Sequence, residues 1–355
     1  MDIKERIKTF IATEPAKRLT QLSSADFTAL TELRLRADKP MFARLAGQDY
    51  VFSSQGKSLA INNNTYSPNA TDIAETIERI SQYSFYAFEP ELCLGYITLP
   101  GGHRVGVAGQ AVIENGTVRA WRHINSINFR IAHSIKGCAD EILPFIYEKS
   151  VMHTMIISPP GAGKTTLLRD IVRQISNGTS ASQGLNIGLV DERSEVAGCF
   201  RGIPQNDVGL RTDVLDCCPK AEGMIMLLRA MSPDVIAVDE LGTKNDAEAV
   251  EAVLTAGVKL ICTAHGSNLD DVTRNPNLSS LINHRIFQRY IILSAPGQPP
   301  TVLDQDGVFI PIPVRKLPKI CEDFIPRQGS ADDAGQDGPL GGADAGLGWK
   351  TAKIR

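Results

Sequence analysis

One nine-residue run, Ser158-Pro159-Pro160-Gly161-Ala162-Gly163-Lys164-Thr165-Thr166, limits the fold of this chain more than any other part of it. It follows the apolar Met155-Ile156-Ile157 and precedes an amphipathic segment, Leu167 to Ile175. Strand, glycine-bearing turn and helix start are the context that a phosphate-binding loop needs. Glycines reach dihedrals closed to other residues, so backbone N–H groups can converge on a phosphate. The helix that follows adds its unpaired N–H groups and the positive end of its dipole. Lys164 supplies a point charge for the β- and γ-phosphates, and Thr165 a hydroxyl ligand for Mg²⁺. The whole run from Ser158 to Thr166 is therefore the expected phosphate site. The Walker A pattern opens on Gly and this chain has Ser158, a small residue that should still permit the turn. Read alone, the run could also be a Gly/Pro-rich turn with a chance Lys-Thr.

Three more segments weaken that bland reading. In Asp234-Val235-Ile236-Ala237-Val238-Asp239-Glu240-Leu241-Gly242 an apolar strand ends in two carboxylates, a Walker B arrangement. Asp239 would hold Mg²⁺, and Glu240 would orient and polarise the attacking water. Without the loop, the same residues would read as a core strand ending in a solvated acidic pair. Leu260-Ile261-Cys262-Thr263-Ala264-His265-Gly266 places Thr263 and His265 at alternate positions of a strand end, able to sense the γ-phosphate or the water. His265 could equally be a structural histidine. Gly188-Leu189-Val190-Asp191-Glu192-Arg193 ends in acids that suit water near Mg²⁺, an arginine, or a structural salt bridge. Phosphoryl transfer commonly needs a further cation. Arg104, Arg130, Arg193, Arg211 and Arg229 are candidates, and spacing does not choose among them.

The 355 residues suffice for two domains and a tail. A net charge of −3 gives no global drive toward nucleic acid or anionic lipid. The seven cysteines are scattered, and the adjacent Cys217-Cys218 does not resemble zinc spacing, so reduced thiols are expected. The charged start, Met1 to Glu5, is no signal region, and no run approaches the roughly 18 apolar residues of a membrane helix. A cytoplasmic chain, able to dock on a membrane through partners, is the expectation.

Residues 1–137 read as a smaller mixed α/β domain. Met1 to Ile11 and Asn69 to Gln82 suggest helices, the second with Thr71 as a cap. Leu33 to Arg36, Met41 to Ala46, Tyr50 to Ser53, Tyr96 to Leu99 and Val105 to Ile113 suggest strands. Asn115-Gly116 signals a hairpin into Thr117 to Trp121, and Asn128 to Ala132 suggests a closing strand. In 138–315 short apolar runs alternate with helical segments, the pattern of a mainly parallel sheet in an α/β domain. Residues 316–355 form an extension, expected to be disordered from about 328 because Gly, Ala and Asp leave little to bury.

The order of phosphate loop, acidic strand at Asp191-Glu192, Walker B at Asp239-Glu240 and His265 strand resembles the type II/IV secretion ATPases. The finer resemblance is to the family of stage III sporulation protein AA. It is carried by Glu32-Leu33-Arg34-Leu35-Arg36, Gly102-His103-Arg104-Val105-Gly106, Ser126 to Ala132, Pro160 to Asp170, Val190 to Arg193 and Pro233 to Glu240. That resemblance implies a RecA-like P-loop ATPase domain preceded by an α/β domain similar to the second N-terminal domain of secretion ATPases. It implies ATP and Mg²⁺ as ligands. It also implies a ring, a hexamer, on the cytoplasmic face of a secretion-like channel between mother cell and forespore. N-terminal arginines of the family reach bound nucleotide, which favours Arg104 and Arg130 here. Two other readings stand beside this one. A nucleic-acid-associated RecA-like ATPase is disfavoured by the acidic balance and the lack of a basic aromatic patch. A nucleotide-gated scaffold with little turnover shares every motif.

Overall fold

Alternation of apolar and charged residues builds the first sheet. In the computed structural model, which describes residues 3–81, 92, 95–133, 135–179 and 182–312, that sheet has seven strands, all paired antiparallel. They are β1 (Leu30–Arg36), β2 (Lys39–Leu45), β3 (Gln48–Ser53), β4 (Gly56–Ser58), β5 (Tyr96–Leu99), β6 (His103–Glu114) and β7 (Thr117–Arg130). Their order is β4-β3-β2-β1-β7-β6-β5. Leu33, Leu35, Val105, Val107, Ile127 and Phe129 face the core on one side. Residues of the opposite parity face the other way. Glu32, Arg130 and Arg104 are neighbours across β1, β7 and β6, so one charged row crosses that second face.

The helix Ala70–Ile80 covers the core side with Ile73, Ile77 and Ile80. Its cap is Asn69, not Thr71. The Asn69 side chain accepts from the Asp72 N–H and the Asp72 carboxylate accepts from the Asn69 N–H, so two orphan donors are satisfied reciprocally. The helix expected over Met1 to Ile11 is Ile3–Phe10, and a second, Thr13–Leu19, follows it. Pro15 fits the first turn of the second, where N–H groups lack helical partners anyway.

The second sheet begins with β8 (Thr154–Ser158). After a two-residue hairpin, β9 (Gly178–Thr179) with β10 (Ser182–Gln183), it continues through β11 (Ile187–Asp191), β12 (Thr212–Asp216), β13 (Val235–Leu241) and β14 (Lys259–His265). The last strands are β15 (Arg289–Ile292), β16 (Thr301–Asp304) and β17 (Phe309–Ile310). The order is β12-β11-β13-β14-β8-β15-β16-β17. The first six run parallel; β16 is antiparallel to β15, and β17 to β16, which makes the sheet mixed. Every residue of β8 and β11 is buried, because helices cover both faces. Leu168, Ile171, Val172 and Ile175 of the helix Lys164–Asn177 pack on one face. Met224 and Leu227 of Lys220–Ala230, with Val250 and Val253 of Lys244–Thr255, pack on the other.

All described residues fall within one compact unit. The extension expected to be disordered lies outside the described residues. Among them, no helix is long and apolar enough to cross a membrane.

Candidate nucleotide site

Parallel strands bring their C-terminal ends to one edge, and that edge collects the motifs. Ser158 ends β8 opposite His265 of β14, and Asp191 ends β11 beside β13. Between Ser158 and the helix Lys164–Asn177 the chain turns through Gly161 at φ 76° and Gly163 at φ 101°. A Cβ built on either glycine meets nothing within 4 Å. Sterics around the loop therefore do not demand glycine; the left-handed backbone does, and it leaves an open cradle. Ser158 has no positive φ, so the missing first glycine costs no strain. Its hydroxyl donates to the Pro159 carbonyl at 2.9 Å. Pro159, Pro160 and buried Ala162 complete the turn, and Lys164, Thr165 and Thr166 open the helix.

The loop is joined to the acidic strand by side chains. Thr165 Oγ1 donates to Asp239 Oδ2 at 3.1 Å. Buried Thr263 donates to Asp239 Oδ1 at 2.5 Å and its oxygen accepts from the Glu240 N–H at 2.7 Å. One hydroxyl thus fixes the metal candidate and the backbone of the base candidate together. Burial pushes the Asp239 carboxyl up from its ordinary range, against the Thr263 and Thr165 hydrogen bonds and the charge of Lys164. A divalent cation there would relieve the cost of keeping that carboxylate ionised. Thr165 and Asp239 supply the hard oxygen donors that Mg²⁺ prefers.

Glu240 sits at φ 62°, where the pairing of β13 with β14 slips between Val238 and Leu241. A bulge there re-aims the side chains at the strand end. His265 is exposed at the end of β14. Arg211 and Arg229 are exposed, and Arg229 lines a groove between the helices Lys220–Ala230 and Lys244–Thr255.

A second group of residues meets the loop from the first sheet. Arg104, Arg130 and Glu32 line a cleft of about 320 Å³ together with Thr165, Thr166 and Arg169. Arg104 Nη1 donates to Glu195 Oε1 at 2.6 Å, and its guanidinium lies 4.3 Å from the centre of the Tyr96 ring. Its Nε and Nη2 are buried without a hydrogen-bond partner among the described residues. Orphaned guanidinium donors beside a phosphate loop suit an anion.

Among the described residues, Asp191 at the end of β11 has no salt-bridge partner. That buried carboxylate accepts N–H groups of Glu195, Val196 and Ala197 at 2.8, 3.0 and 2.8 Å, and so braces the loop. Glu192 pairs with Lys220. The sequence motifs leave out Glu195 and include Arg169, within Pro160 to Asp170, without a role. Arg169 is buried, donating Nε to the Val196 carbonyl at 2.6 Å and Nη2 to that of Glu195 at 2.7 Å. Its signals in the sequence are its place in the helix of the phosphate loop and in the segment Pro160 to Asp170.

Residues 1–309 match the family model described as Sporulation stage III, protein AA. The chain is 43% identical over 292 residues to "Stage III sporulation protein AA" of Bacillus subtilis strain 168, covering 81% of this chain and 91% of that protein. Among solved structures, the ATPase DotB of Yersinia pseudotuberculosis has a similar fold, with a TM-score of 0.52 at 14% identity. The match covers 84% of this chain and 78% of that one. The chain belongs to the family of Sporulation stage III, protein AA.

Proposed function

We propose that this protein binds and hydrolyses ATP, as a RecA-like P-loop motor subunit of a secretion-like channel used in sporulation. The observation that carries the reading is the Thr165–Asp239 contact, which joins the phosphate loop to the acidic strand end. Loop N–H groups from Gly161 to Thr165 hold the phosphates, and Lys164 neutralises the terminal ones. Thr165 and Asp239 would hold Mg²⁺, which would offset charge on the transferring phosphoryl group. Glu240 orients the attacking water and takes up its proton. Arg104 and Arg130 approach the phosphates from the first sheet, and His265 and Thr263 respond to the departure of the γ-phosphate. Family membership supports the sporulation setting. A self-assembled ring, a hexamer, with membrane proteins as partners follows from the resemblance to secretion ATPases.

Two variants test the chemistry. Lys164→Ala should abolish turnover and weaken nucleotide binding. Glu240→Gln should keep binding while turnover falls about 10²–10⁴-fold. ATP hydrolysis at the parental rate by Glu240→Gln would remove Glu240 from its role.

A further inference from the structure

Arg193 belongs to neither the phosphate loop nor β13, yet its Nη1 donates to Glu240 Oε2 at 3.0 Å. Both backbones behind this contact are fixed. On one side, Asp191 accepts three N–H groups of the loop just past Arg193. Ser194, at φ 54°, accepts the Cys199 N–H at 3.1 Å. Arg169 ties down the Glu195 and Val196 carbonyls. On the other side, the Glu240 N–H is bound to Thr263 at a bulge. What remains free is the choice of side-chain rotamers, and the ion pair makes that choice.

Building on the hydrolysis proposed above, we propose that Arg193 is a positioning residue for Glu240. It holds one carboxylate oxygen, Oε2, so that Oε1 is presented to the attacking water. A glutamate side chain loses rotamer freedom when it is fixed. If the arginine imposes that order beforehand, the reacting state need not, and about a tenfold gain in rate follows. The pair itself is too exposed to matter much for folding, with 65% of the Arg193 and 33% of the Glu240 side chain accessible. Rate and stability can therefore be separated.

The test uses the full-length protein, with ATP turnover, affinity for ADP and for a non-hydrolysable ATP analogue, and thermal melting. Arg193→Ala should lower kcat about tenfold, with KM and both affinities within about twofold of the parent and melting unchanged. Arg193→Lys should recover part of the rate, as should free guanidinium ion added to Arg193→Ala but not to Lys164→Ala. In a Glu240→Gln background, Arg193→Ala should cost nothing further, since it acts through that carboxylate. Arg193→Gln removes the charge and keeps most of the stem, so a folding failure of the alanine variant does not end the test. A parental kcat without Arg193 would overturn the proposal. So would a loss of ATP-analogue affinity in step with kcat, which would mean a direct phosphate contact. So would an undiminished effect in the Glu240→Gln background. If the parent bound neither ATP nor ADP, the hydrolysis reading itself would fall, and this inference with it. Intact binding and turnover with any of the other results would overturn the positioning role alone.

Discussion

Thr263 carries more of the candidate site than its size suggests. Its one hydroxyl donates to Asp239 and accepts from the Glu240 N–H, in a fully buried position. Thr263→Val keeps the shape and strands both partners. Leaving a buried N–H unsatisfied costs about 1–3 kcal/mol, so chemical denaturation should register a loss of that order and turnover should fall with it. Thr263→Ser should retain most of both; a valine variant with parental stability would mean the hydroxyl bridges nothing. Much of this was legible beforehand. Thr165, Asp239 and Thr263 sit at strand ends or on the loop, and local patterns fix where those ends lie. The Arg104–Glu195 pair was not legible, because its partners lie 91 positions apart and meet only through tertiary packing. Nor was the bulge at Glu240, since a register slip leaves no trace in an apolar strand pattern.

Whole elements follow the same division. The buried strands β8, β11, β13 and β14 read directly as continuous apolar runs. β12 escaped because it lies at the edge of its sheet and is only half-buried, so Thr212-Asp213-Val214-Leu215-Asp216 carries charge. His153, just before β8, adds one contact to the pairing of β8 with β14, its Nδ1 accepting the Leu260 N–H at 3.2 Å. Burial, with the nearby charge of Lys259, pulls its pKa from 6.5 down to about 4. A depressed histidine stabilises the fold fully above its unfolded pKa, and that contribution is lost as pH falls from about 6.5 toward 4. The melting temperature should drop over that window. His153→Asn, which can still accept the hydrogen bond but does not titrate, should flatten the slope; an unchanged slope would assign the acid sensitivity to other groups.

At the scale of the molecule, the arginine face of the first sheet and the phosphate loop share one cleft within a single chain. The proposed ring would add a second source of cations from a neighbouring copy. Specific activity should then rise with protein concentration in parallel with the assembled fraction, measured by sizing at the same concentrations. Full activity in a dilute monomer would show that Arg104 and Arg130 of the same chain suffice and would remove the ring from the mechanism. The left-handed backbone at Glu240 has a consequence for how such a protein can change. Glycine, or asparagine to a lesser degree, would occupy that position at lower cost than a glutamate. Selection for heat resistance alone would therefore drift toward those residues at position 240. On the hydrolysis proposed above, the lineage it produced would melt later and hydrolyse nothing, so only continued demand for that work would keep the glutamate there.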